Sequence, residues 1–209
     1  MGQILKFPSE ATRLGYKRVK KRCKAADHPD QLSLFLPPSA QILSIAPQLS
    51  AFEEALMLDE HGDARAAEFY VRAIENQECI ADAYCNLGII ESQKGNTAKA
   101  FDCFTTSLKH DPRHAEAHYN LGNLYFEVND FQLARIHYEL ACEVEPSFAN
   151  AFFNFALVQS INNDFVAALT ALARYQELVS PDEARNAEEL LQTLKKSLAA
   201  SKTERLTSI

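Results

Sequence analysis

The chain has 209 residues, of which 47% are hydrophobic and 10% aromatic, and its 28 acidic against 21 basic side chains leave a net charge of −7. That composition suits a chain that buries a core, and no apolar run approaches the roughly 20 residues needed to cross a bilayer, so no membrane association is expected. Five cysteines (Cys23, Cys79, Cys85, Cys103, Cys142) form an odd set without CxxC spacing, and the N-terminus lacks a secretory apolar run. The expectation is reduced thiols in a cytoplasmic protein. No glycine-rich phosphate loop, nucleophile elbow or HExxH is present, which argues against an enzyme and against a bound cofactor.

Residues 1–46 read as a basic, mostly flexible arm. Residues 1–30 carry eight Lys or Arg (Lys6, Arg13, Lys17, Arg18, Lys20, Lys21, Arg22, Lys24) against Glu10, Asp27 and Asp30, a net +5, so the rest of the chain holds −12. A basic arm tethered to an acidic body either folds back on that body or makes weak, nonspecific contact with a phosphate backbone. Only Tyr16 is available near the cluster for stacking, so base-specific reading is not expected. The arm continues into Gln31-Leu32-Ser33-Leu34-Phe35-Leu36-Pro37-Pro38, where the prolines favour an extended segment. Residues Gln31, Leu32, Ser33, Leu34 and Phe35 are similar to the pentapeptide by which bacterial replication and repair proteins dock on the DNA sliding clamp. That resemblance implies polar contacts from Gln31 and an apolar pocket for the leucine and aromatic. The other reading of Leu32, Leu34 and Phe35 is a cover for the exposed end of the helical body.

From residue 47 onward the chain repeats itself. Ala81-Asp-Ala-Tyr-Cys-Asn-Leu-Gly88 returns thirty-four residues later as Ala115-Glu-Ala-His-Tyr-Asn-Leu-Gly122 and again, more loosely, as Ala149-Asn-Ala-Phe-Phe-Asn-Phe-Ala156. Ala66, Ala100, Ala134 and Ala168 share a second phase, with Tyr70, Phe104, Tyr138 and Leu172 four positions on. Apolar spacing makes each unit a pair of helices with one face each to bury. Small residues at Gly88, Gly122 and Ala156 mark close helix approaches. Gly95-Asn96, Asn129-Asp130 and Asn163-Asp164 separate the helices, the first residue of each pair suiting a left-handed helix end and the second an N-cap. The units are 81–114, 115–148 and 149–182, preceded by a degenerate one over 47–80, which opens on a capping box at Ser50 and Glu53. Ser180-Pro181-Asp182-Glu183 starts a capping helix over 183–200 with Ala184, Ala187, Leu191, Leu194 and Leu198 on one stripe, and residues 201–209 form a tail.

This pattern resembles the tetratricopeptide repeat, a 34-residue helix-turn-helix unit. The fold implied is all-α: a right-handed solenoid of helical hairpins with a C-terminal capping helix and a largely irregular N-terminal arm. In that family the first helices line a concave groove, and positions two, five, six, nine, twelve and thirteen of each unit face it. Carried over, this names Asn86, Ile89, Tyr119, Asn120, Asn123, Phe126, Phe153, Asn154 and Leu157 as groove residues. Asn86, Asn120 and Asn154 form a ladder, and each amide offers both a donor and an acceptor to the backbone of an extended peptide. Chaperone-binding members grip a C-terminal carboxylate with Lys and Arg at these positions, whereas this chain has Asp82 and Glu116. The ligand implied is a neutral or basic protein segment with apolar side chains, and the protein's own arm is one candidate.

His114 and His118 stand four apart without a visible third ligand, so no metal is expected. The function implied is a noncatalytic scaffold or adaptor that binds an extended segment in its groove. The alternative is a replication or repair accessory recruited to the sliding clamp through Gln31–Phe35.

Overall fold

The computed structural model describes residues 15–20, 49–185, 187–188 and 191–196. Among these residues the helices α1 (Ala51–Glu60), α2 (Ala66–Glu75), α3 (Ile80–Gln93), α4 (Thr97–His110), α5 (Ala115–Glu127), α6 (Phe131–Val144), α7 (Ala149–Ile161) and α8 (Phe165–Leu178) follow in order. They pair as four successive hairpins, and each second helix also packs on the first helix of the next hairpin.

The turns follow the chemistry of their residues. Gly95, Asn129 and Asn163 all take positive φ (78°, 62° and 63°), the left-handed geometry that ends the preceding helix. Asp130 and Asp164 then cap α6 and α8 by accepting the N–H groups of Leu133 and Ala167. Asn96 departs from the expected cap: its amide donates to Glu91 Oε2 at 2.8 Å. The acidic neighbour competes for the side chain and wins. At α1, Ser50 and Glu53 form the reciprocal capping box, and the Glu78 carboxylate accepts the N–H of Phe52 where later units carry proline.

Close approach within a hairpin explains the two helical glycines. A Cβ on Gly88 would lie 2.7 Å from the Phe104 ring, and one on Gly122 would lie 2.8 Å from the Tyr138 ring. The aromatic four positions after each conserved-phase alanine thus fills the space that the glycine of its partner helix vacates. The hairpins stack through a series of apolar clusters rather than one central core. At the C-terminal end, residues 181–185, 187–188 and 191–196 are helical, and Ala187, Leu191 and Leu194 bury against Phe153, Leu172 and Tyr175. That is the capping role expected of the stripe, with Leu198 outside the described residues.

One expectation is corrected. Cys79 is disulfide-bonded, so the thiols are not all reduced, while Cys85, Cys103 and Cys142 are free. Cys79 stands at the N-cap of α3 in a left-handed conformation (φ 42°), on the single turn that joins the degenerate unit to the next. The residues Gln31, Leu32, Ser33, Leu34 and Phe35 lie outside the described residues. Among those described, no helix is long and apolar enough to cross a membrane.

Candidate functional site

Residues 15–20 lie extended along the wall built by α1, α3 and α5. Lys17 donates its backbone N–H to Asn120 Oδ1 at 2.7 Å, and its carbonyl accepts from Asn120 Nδ2 at 2.9 Å. Val19 is held the same way by Asn86, with N–H to Oδ1 at 2.9 Å and carbonyl to Nδ2 at 3.1 Å. An extended chain turns the N–H and C=O of every second residue toward the same edge, so two asparagines one repeat apart meet residues two apart. The segment runs against the order of the repeats: Gly15 reaches Asn123 on α5, with Nδ2 to carbonyl at 3.5 Å, and Arg18 reaches Asp59 on α1.

Side chains then add what the backbone brackets cannot. Val19 is completely buried among Cys85, Ile89 and Leu121. Tyr16 stacks on Phe104 with ring centroids 6.1 Å apart and donates its hydroxyl to the Glu127 carboxylate at 2.9 Å. Burial pushes the Tyr16 phenol upward, with the Glu127 charge reinforcing the shift. Arg18 Nη2 pairs with Asp59 Oδ1 at 2.9 Å. Asp59 is only 5% exposed and also accepts from Tyr70 Oη at 3.2 Å. Its pKa is raised by burial, a cost that Arg18 and Tyr70 only partly offset. Lys17 is exposed, its Nζ 5.9 Å from the Phe148 ring centroid, and Lys20 is exposed as well.

The residues named from the sequence divide into three groups. Asn86, Asn120 and Asn123 touch the segment through their amides, and Ile89 packs on Val19. Tyr119, Phe153 and Leu157 are built into the packing between helices: Tyr119 against Tyr138 and Phe148, Phe153 against Tyr175, Leu157 in the cluster beneath. Phe126 sets its ring edge-on to Phe131. Asn154 stands at the third position of the ladder, 1% exposed, donating to Tyr119 Oη at 3.3 Å and Asn123 Oδ1 at 3.0 Å.

One contact was not singled out from the sequence as a binding group, Asp59, whereas Glu127 falls at the thirteenth position already named as facing the groove. Both occupy the thirteenth position of their units, thirty-four residues on either side of Gln93. The periodicity extended into the degenerate first unit would have found Asp59.

The acids at the second groove position have an internal partner. His114 Nε2 lies 2.9 Å from Asp82 Oδ1, while its Nδ1 accepts the N–H of Ala117, so this buried imidazole caps α5 and ties it to α3. His118 contacts the carbonyl of Pro112 through Nε2 and His137 Nδ1 through its own Nδ1, at 3.1 Å each. Burial lowers the pKa of both; at His118 the Pro112 carbonyl opposes the shift, while at His137 the neighbouring His118 adds to it and the value falls to about 4. Among the described residues no group of His, Cys, Asp and Glu could hold a metal ion.

A solenoid of helical hairpins whose first helices bracket an extended strand defines the class: a helical repeat protein with a peptide-sized groove. Residues 79–145 match the tetratricopeptide-repeat family. The chain is 33% identical over 125 residues to tetratricopeptide repeat protein 8 of Mus musculus, covering 60% of this chain and 24% of that one. To the Homo sapiens protein of the same name it is 32% identical over 108 residues, covering 52% and 20%. The chain therefore spans a quarter or less of these curated relatives. Among solved structures it is similar to the first TPR of Spaghetti (RPAP3) bound to the HSP90 peptide SRMEEVD, with TM-score 0.52, 22% identity, and coverage of 57% of this chain and 93% of that one. YrrB, a TPR protein with an unusual peptide-binding site, gives 0.54 at 24%, covering 61% and 66%. The MamA structure gives 0.53 at 19%, covering 74% and 97%. At these identities the likeness establishes the fold.

Proposed function

We propose that this protein is a noncatalytic adaptor that holds an extended segment of another protein in its groove, and that its own residues 15–20 occupy the groove until displaced. The paired brackets of Asn120 on Lys17 and Asn86 on Val19 carry the reading, because they grip backbone atoms that any peptide possesses. A contact made to the backbone transfers from one sequence to another. Two structural neighbours are described with peptides or a peptide-binding site, which supports the same use of the fold here. The acids of this groove turn the preference toward neutral or basic segments, away from an acidic tail such as SRMEEVD.

An arm in the same chain is present at an effective concentration on the order of millimolar, so even modest contacts keep the groove filled. Displacement then becomes the regulated step. The test uses the full chain carrying Val19→Asp, which places a charge in a fully buried apolar position, and a labelled synthetic peptide spanning residues 11–22. Fluorescence anisotropy should show saturable binding to the variant and at least tenfold weaker binding to the wild type. No binding to a folded Val19→Asp protein would remove the proposal.

A further inference from the structure

We infer that the displacing partner presents an extended segment of the form aromatic, any residue, arginine, aliphatic, read against the order of the repeats, and that the residue before its aromatic donates its backbone N–H to the third asparagine, Asn154. This rests on the adaptor reading above and names the chemistry of its ligand.

Each position follows from what the arm leaves behind on departure. Loss of Arg18 strips Asp59 of its cation, and a ligand that covers this carboxylate again, as the arm does when it leaves Asp59 only 5% exposed, would bury it with the Tyr70 hydroxyl alone unless it brought a cation. An uncompensated buried charge is strongly unfavourable, so a successful ligand must bring its own cation to that point. Arginine suits it better than lysine: Arg18 reaches the Asp59 carboxylate with Nη2 and the Asp59 backbone carbonyl with Nη1 at 3.4 Å, a fork an ammonium cannot reproduce. Loss of Tyr16 exposes the face of Phe104 and frees Glu127, which together ask for an aromatic ring with a donor. Loss of Val19 opens an apolar hole among Cys85, Ile89 and Leu121, sized for a β-branched or small aliphatic side chain. The residue between ring and cation needs nothing but a backbone, since Lys17 points its side chain outward.

Asn154 supplies the extension. In the two filled rungs Oδ1 accepts a backbone N–H, but Asn154 Oδ1 is buried and finds no hydrogen-bond partner. Such an orphan acceptor is costly and points to a missing donor. The two-residue register places the next bracketed residue at Gly15, yet Gly15 directs its carbonyl to Asn123 instead. Glycine holds extended backbone poorly, and a β-branched residue there would carry the strand on to Asn154.

Three labelled peptides against the full-length Val19→Asp protein test this: the arm sequence Gly-Tyr-Lys-Arg-Val-Lys, the same with Glu for Arg, and the same with Thr for Gly. The expected result is at least tenfold weaker binding of the Glu peptide, a penalty that shrinks in the Asp59→Asn background. The Thr peptide should bind threefold or more tighter than the parent, and Asn154→Leu should abolish that gain. Should the leucine variant fail to melt cooperatively, Asn154→Ser serves in its place. Equal binding of parent and Glu peptides would overturn the ligand pattern, and a Thr gain that is absent or survives loss of Asn154 would overturn the extension. Either result leaves the adaptor reading standing, which falls only if the parent peptide fails to bind.

Discussion

Asn120 holds both backbone atoms of Lys17, giving its Oδ1 to the N–H at 2.7 Å and its Nδ2 to the carbonyl at 2.9 Å, across 103 residues of sequence. The Lys17 side chain contributes little to this grip, and the difference can be measured. Asn120→Ala removes both of these hydrogen bonds and the one from Nδ2 to Cys85 Sγ at 3.4 Å, and should cost about 1–3 kcal/mol. Lys17→Ala should stay within about 0.5 kcal/mol. Urea denaturation of the two variants gives the comparison, and equal losses would show that the side chain rather than the backbone is read.

Gly122 provides the second prediction. Alanine ordinarily stabilises a helix interior by about 1 kcal/mol over glycine. Here its methyl would lie 2.8 Å from Tyr138, whose ring is fully buried and whose hydroxyl is tied to Asn123 Oδ1 at 2.8 Å. Overpacking of this kind costs about 1–3 kcal/mol, so Gly122→Ala should be net destabilising by about 1–2 kcal/mol in equilibrium unfolding. A gain in stability would contradict the packing described.

A third prediction concerns acid. Burial lowers the pKa of His137 from the usual 6.5 to about 4 and that of His118 in the same direction. The unfolded chain therefore binds more protons than the folded one between these values, and stability rises with pH through that window. As pH falls from about 6.5 toward 4, the pair should remove on the order of 1–3 kcal/mol. His137→Phe keeps a ring beside Tyr125, on which His137 stacks, and should flatten the dependence relative to wild type in pH-resolved thermal melts. An unchanged slope would mean that the pair is not buried neutral.

Much of the architecture was legible because a solenoid writes its rules several times over. Gly95, Asn129 and Asn163 announce left-handed helix ends, and Gly88 and Gly122 announce close approaches, each at a thirty-four-residue interval. Asn86 and Asn120, which bracket Val19 and Lys17, recur at the same interval. Less visible were contacts that occur once. Asp59 belongs to the degenerate unit, where the repeat signal is weakest, and its role depends on a cation from a distant segment. Tyr119 and Phe153 share a groove-facing phase with Cys85, yet rings of that size fill the space between hairpins, so phase alone did not separate lining from packing. The disulfide at Cys79 was invisible because a lone cysteine at a turn carries no spacing signal.

Amide hydrogen exchange at Lys17 and Val19, followed residue by residue in the full-length protein, tests the central claim most directly. If Asn120 and Asn86 bracket the segment, those two N–H groups exchange at least about a hundredfold more slowly than an unfolded chain, corresponding to roughly 2.7 kcal/mol of protection. Protection should vanish in the Asn86→Ala, Asn120→Ala double variant while the amides of α5 and α6 remain protected. Unfolded-chain exchange at Lys17 and Val19 in the wild type would contradict the account.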